Sequence, residues 1–88
     1  MKWKENVRIV RNGDLQFQMG NKIKTIEKSD EYIALAVENG INDDKELIAL
    51  VVKRENISET AAAFSFTQFI LDYGAFIEVD RSHYVITE

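Results

Sequence analysis

Apolar and polar residues alternate along the first part of the chain and then change period. Two extended stretches, Val7–Arg11 and Leu15–Met19, carry apolar side chains at every second position, and a third, Ile23–Glu27, holds Ile23 and Ile26. That alternation is the mark of half-buried strands. Asn12-Gly13-Asp14 and Gly20-Asn21-Lys22 separate the stretches, and such turn-formers join antiparallel neighbours. From Ser29 to Tyr73 the period becomes helical, and Phe76–Val79 and Tyr84–Ile86 return to extended patterning.

Face parity sets the expected register. A two-residue Asn12-Gly13 loop would set Phe17 against Arg8, whereas a three-residue loop sets Ile9 against Phe17 and Val7 against Met19. The second arrangement gathers the apolar side chains on one face. The same parity at Gly20-Asn21-Lys22 pairs Met19 with Ile23 and Phe17 with Thr25, so bulged turns are expected at both sites. The expected buried face is Val7, Ile9, Leu15, Phe17, Met19 and Ile23, with Arg8, Gln16, Gln18, Lys22 and Lys24 on the other side.

The helices have readable ends. Ser29 before Asp30 and Glu31 reads as an N-cap followed by acids that suit the positive end of the helix dipole. Gly40 closes that helix in a left-handed conformation. Asp43 with Glu46 reads as a capping box opening a second helix with Leu47, Ile48, Leu50 and Val51 on its apolar side. Ser58 caps a third helix, closed at Gly74, whose Ala62, Phe66, Phe69, Ile70 and Tyr73 share a core-facing sector. The order of elements predicts an α+β fold. It is that of a winged helix-turn-helix with an N-terminal three-stranded antiparallel sheet, three helices and a C-terminal β-hairpin wing, forming a single domain over residues 1–88.

The third helix carries a second apolar stripe. Phe64 and Leu71 lie seven residues apart and roughly opposite Phe66, with Thr67 and Gln68 between them. A helix apolar on two sides has to cover both. Either the stripe packs on the domain's own sheet or wing, or it forms one wall of a hydrophobic groove beside the sheet.

Charge sharpens this picture. Residues 1–28 carry seven lysines and arginines against three acids, and residues 29–88 carry four against twelve. The sheet is basic and the helical body acidic, within a net charge of −4. Cysteine is absent, which excludes disulfides and thiolate metal sites and fits a reducing cytoplasm, the expected location. No run of apolar residues is long enough for a membrane span, and no leader pattern is present. Trp3, ahead of the first strand, is expected to pack as an anchor.

The chain resembles a known family from Val7 to Ile77. "VRIVRNGDLQFQMGNKIKTIE" (residues 7–27), "YIALAVENGINDDKELIALV" (32–51) and "FILDYGAFIEV" (69–79) are similar to the RiPP recognition elements. These are PqqD-like domains related to the pyrroloquinoline-quinone peptide chaperone. The first strands also resemble the N-terminal segment of ThiF-like peptide-modifying enzymes. The strong Tyr84–Ile86 strand and the Phe-rich third helix depart from the pattern. The resemblance implies a non-catalytic domain, without cofactor or metal, that binds the leader segment of a ribosomally made precursor peptide. It would present that leader to a modifying enzyme of the same pathway. It also implies docking by strand addition beside Lys22, Ile23, Lys24, Thr25 and Ile26, against Phe64, Thr67, Gln68 and Leu71 of the third helix. A monomer is the expected state. Lys22 and Lys24 would either protect an open edge from aggregation or attract an acidic leader.

Two other classes fit the sequence less well. A winged-helix DNA-binding regulator is the alternative, but Ser58–Tyr73 contains no Lys or Arg and has Gln68 alone among the usual base readers. A pI near 5.0 is also far from the electrostatic footprint of a nucleic-acid binder. For an enzyme, His83 is the sole histidine, and its neighbour Ser82 points to the opposite face of a strand. The acids around Asp43 have the spacing of a helix start and not of a calcium loop.

Overall fold

In the computed structural model, which describes residues 1–78, three antiparallel strands form the larger sheet. They are β2 (Arg8–Asn12), β3 (Asp14–Met19) and β4 (Lys22–Thr25), in that spatial order. A short β1 (Lys2–Trp3) pairs with β5 (Ile77–Glu78) in a second, two-stranded sheet. Three helices lie between β4 and β5: α1 (Glu31–Glu38), α2 (Asp44–Glu55) and α3 (Glu59–Asp72). The architecture is α+β. The expected second wing strand Tyr84–Ile86, with Ser82 and His83 ahead of it, lies outside the described residues.

The first hairpin has the expected register, with Ile9 opposite Phe17 and Gly13 at the tip with φ +76°. The second hairpin does not. Met19 pairs with Lys22, Gln18 with Ile23 and Phe17 with Lys24, so the loop is the two residues Gly20-Asn21. Gly20 sits at φ +60° while Asn21 keeps a negative φ, the pattern of a type II′ turn whose twist matches that of the strands. The one-residue slip turns every β4 side chain over. Ile23 leaves the core and is 60% exposed, whereas Ile26 enters it. Ile26 donates its N–H to the Leu15 carbonyl at 2.8 Å and is fully buried. Lys22 and Lys24 therefore share the face of Met19 and Phe17 and stay in solvent because β4 is at the edge.

The core lies between this face and the helices. Phe17 stacks on Phe76 with ring centroids 5.2 Å apart, meets Tyr73 at 5.4 Å and takes the edge of Trp3 at 4.9 Å. Ala62, Phe66, Phe69 and Tyr73 of the third-helix sector are buried, as its period predicts. Trp3 does anchor the N-terminal segment, but as a strand residue: it pairs with Ile77 and donates its indole N–H to Glu38 at 2.9 Å. Arg11 ties the sheet tip to the start of α1 through Glu31 at 3.3 Å.

The caps divide. Ser58 accepts the Ala61 N–H at 3.1 Å, as expected. Gly40 takes φ +101°, its N–H reaches the Val37 carbonyl, and Ile41 reaches that of Ala36, which closes α1 as a Schellman motif. Ser29 is no N-cap, because a 3-10 turn over Lys28–Asp30 leads into α1 and moves the start to Glu31. Asp43 stands at the N-cap of α2 without a side-chain capping bond, so the expected box with Glu46 is not closed.

Candidate functional site

β4 is the outer strand of its sheet, and every one of its residues is exposed. Among the described residues no strand pairs with its outer edge, so its backbone groups on that side form a template for strand addition. Lys22, Ile23, Lys24 and Thr25 line this edge, with Ile23 and Thr25 on the outer face beside Gln18 and Gln16. Ile26, expected in the same set, belongs to the core and has no surface to offer a partner.

The C-terminal end of α3 is fastened beside this strand by Tyr73. The Glu27 N–H donates to the Tyr73 hydroxyl at 3.1 Å, and that hydroxyl donates to Asp30 Oδ2 at 2.7 Å. The Lys24 ammonium sits 5.7 Å from the Tyr73 ring centroid, over its face. Burial, with the Asp30 carboxylate adding to it, raises the Tyr73 phenol well above its ordinary value, against the lowering effect of the Glu27 N–H. The phenol is therefore a neutral structural strut.

The helix residues are exposed too. Phe64 is 73% and Leu71 69% exposed. Phe64 and Thr67 line an open groove of about 620 Å³ whose other wall is Ile48 of α2, with Thr60, Ala63 and Glu59 completing it. An adjoining depression continues along α2 past Lys45, Ala49 and Val52. Ser65, on the other side of α3, borders a separate depression with Ser29, Asp30 and Ile33 of the segment that follows β4. Gln68 is held by its own helix, donating to Asp72 at 2.7 Å. Of the expected helix residues, Phe64 and Thr67 thus line an α2–α3 groove whose walls hold no β4 residue. Ile48 and Ala63 were not among the expected site residues. The i, i+3, i+4, i+7 spacing of Thr60, Ala63, Phe64 and Thr67 was the signal for Ala63, whereas Ile48 reaches the groove only through the packing of α2 on α3.

Near the start of α1, Tyr32 carries the Arg54 guanidinium over its ring at 5.1 Å. Burial first, then the hydrogen bond and charge of Glu55, push its phenol up to about 12. Among the described residues no group of three or more His, Asp or Glu side chains is placed to hold a metal ion. No helix among them is long and apolar enough to cross a membrane.

Comparison with protein families, curated proteins and solved structures finds no match to this chain.

Proposed function

We propose that this chain is a peptide-recognition domain of the RiPP leader-binding kind, built as a winged helix with α2 and α3 as its helix-turn-helix. An extended leader segment adds to the sheet along β4 and is handed on to a modifying enzyme. The observation that carries this reading is the open β4 edge, whose four residues are all exposed. Main-chain hydrogen bonds along that edge supply affinity. Alternate side chains of the leader meet Ile23 and Thr25 on the outer face and the lysines on the other, which supplies selectivity. The basic sheet favours an acidic leader. Binding raises the effective concentration of the attached core peptide at the enzyme. Ordering a disordered leader costs free energy, so a dissociation constant of about 1 µM is expected.

Phe64 and Thr67 do not enter this reading, because their groove has α2 as its second wall. The absence of Lys and Arg from α3 also speaks against duplex DNA as the ligand. The test is a titration of the labelled chain with acidic leader segments of precursors encoded beside it, and with duplex DNA. Amide shifts are followed at moderate salt. Saturable leader binding with shifts along Lys22–Thr25 is expected. Salt-sensitive duplex binding with no leader binding would overturn the proposal.

A further inference from the structure

Strand addition along β4 does not require the outer ridge of α3, where Phe64 and Leu71 are the two most exposed large apolar side chains among the described residues. Thr60 to Leu71 is twelve residues long and holds no charged side chain. Solvent-facing helices ordinarily carry charge on the outer side, and loss of charge is the compositional mark of an interface centre.

We infer that this ridge docks against a second copy of the chain, α3 on α3, antiparallel about a two-fold axis near Thr67. The argument is self-complementarity. Thr60, Ala63, Phe64 and Thr67 stand at i, i+3, i+4 and i+7, the four positions that form a hole for the knob of a facing helix. They border the open groove of about 620 Å³, and the small Ala63 and Thr60 leave it room. The knob is Leu71, 69% exposed one turn further along the same ridge. A two-fold axis midway between hole and knob falls at Thr67. It sends Leu71 into the partner's hole and the partner's Leu71 into this one, which is the reciprocity an isologous contact requires. Phe64 then lies against the partner's Leu71, and Leu71 against the partner's Phe64. A parallel pairing would set Leu71 on Leu71 and leave both holes empty.

The surface is one helix face with two large apolar residues per copy, well below the roughly 800 Å² per partner of a standard stable interface. The association is therefore weak, with a dissociation constant on the order of 100 µM. Each copy carries a net charge of −4, so added salt strengthens it by screening repulsion. Salt has the opposite effect on an acidic peptide at β4, which separates the two surfaces experimentally.

Sedimentation equilibrium of the full chain up to about 1 mM, with amide shifts followed over the same range, tests the proposal. Expected are a monomer–dimer equilibrium and concentration-dependent shifts centred on residues 60–71. Leu71→Asp and Phe64→Lys should each weaken association about tenfold or more. Both positions are exposed, so the circular dichroism of each variant should match the parent. The double variant Phe64→Lys with Leu71→Asp should regain association, because antiparallel pairing sets each introduced ammonium against an introduced carboxylate of the other copy, twice per dimer. A chain that stays monomeric at 1 mM overturns the inference. So does association that survives Leu71→Asp, a double variant weaker than both singles, or shifts confined to a strand edge.

Discussion

At the scale of single residues, the buried Tyr73 and the half-buried Tyr32 shape how the fold answers to alkali. Tyr73 joins the end of β4, the turn into α1 and the C-terminus of α3 through one hydroxyl, donating to Asp30 and accepting from Glu27. Burial raises its phenol, and burial followed by Glu55 raises that of Tyr32 to about 12. The unfolded chain gives up phenol protons near pH 10, whereas the folded chain keeps them longer. This contribution to stability is fully present below pH about 10 and is lost as pH climbs from there toward 12. Urea midpoints should therefore hold steady into mild alkali and fall above pH about 10, with Tyr32→Phe and Tyr73→Phe each removing part of the fall. Tyrosinate absorbance alongside the unfolding curves checks this. Slopes unchanged in both variants would assign the alkaline loss to other groups. The sequence marked Tyr73 as a core residue. Its polar handle was not legible, because Glu27 and Asp30 reach it only through tertiary packing.

At the scale of elements, caps and turns show which local signals become bonds. Ser58 makes its capping bond, whereas Asp43 occupies the same position on α2 and makes none with its side chain. Ser58→Ala should therefore cost about 1 kcal/mol. Asp43→Ala should cost about 0.3–1 kcal/mol through the helix dipole, with an effect that shrinks as salt is raised. Chemical unfolding of both variants at low and high salt separates them. A Ser58→Ala cost that is equally salt-dependent would mean that its hydroxyl bond contributes little. The second hairpin shows how an element signal can mislead. Gathering Ile23 with Phe17 and Met19 favoured a three-residue loop, but Gly20-Asn21 forms a two-residue type II′ turn that exchanges Ile23 for Ile26. Both registers bury one isoleucine. The tighter turn matches the strand twist and lets the Ile26 N–H bond to Leu15.

At the scale of the whole molecule, the separation of charge governs encounter with a partner. Lys22 and Lys24 are exposed on β4 within the basic segment, and the helical body is acidic. Reversing both to Glu should slow association of an acidic leader and flatten its salt dependence, with a smaller effect on dissociation, because exposed charges mainly steer approach. The fold should persist, although loss of the Lys24 contact with the Tyr73 ring removes a small stabilisation of about 0.5 kcal/mol. Stopped-flow rates at low and high ionic strength measure the effect. An unchanged rate and salt slope in the folded double variant would leave these lysines as guards of an open edge.

The sequence by itself determined what depends on neighbours a few residues away. It specified the change from period two to a helical period, the first hairpin register, the left-handed close at Gly40, the Ser58 cap and the apolar sector of α3. Short-range sterics and hydrogen bonds settle these before the chain has any tertiary contact. Tertiary structure alone decided the rest. It paired Lys2–Trp3 with Ile77–Glu78 across nearly the whole described chain, a match that no local pattern encodes. It chose between two turns of similar local cost by the packing of Ile26 on Leu15. It also set Phe64 and Thr67 of α3 beside Ile48 of α2. A helical period states which residues share a face, but the element that faces them is chosen by how α2 and α3 pack together.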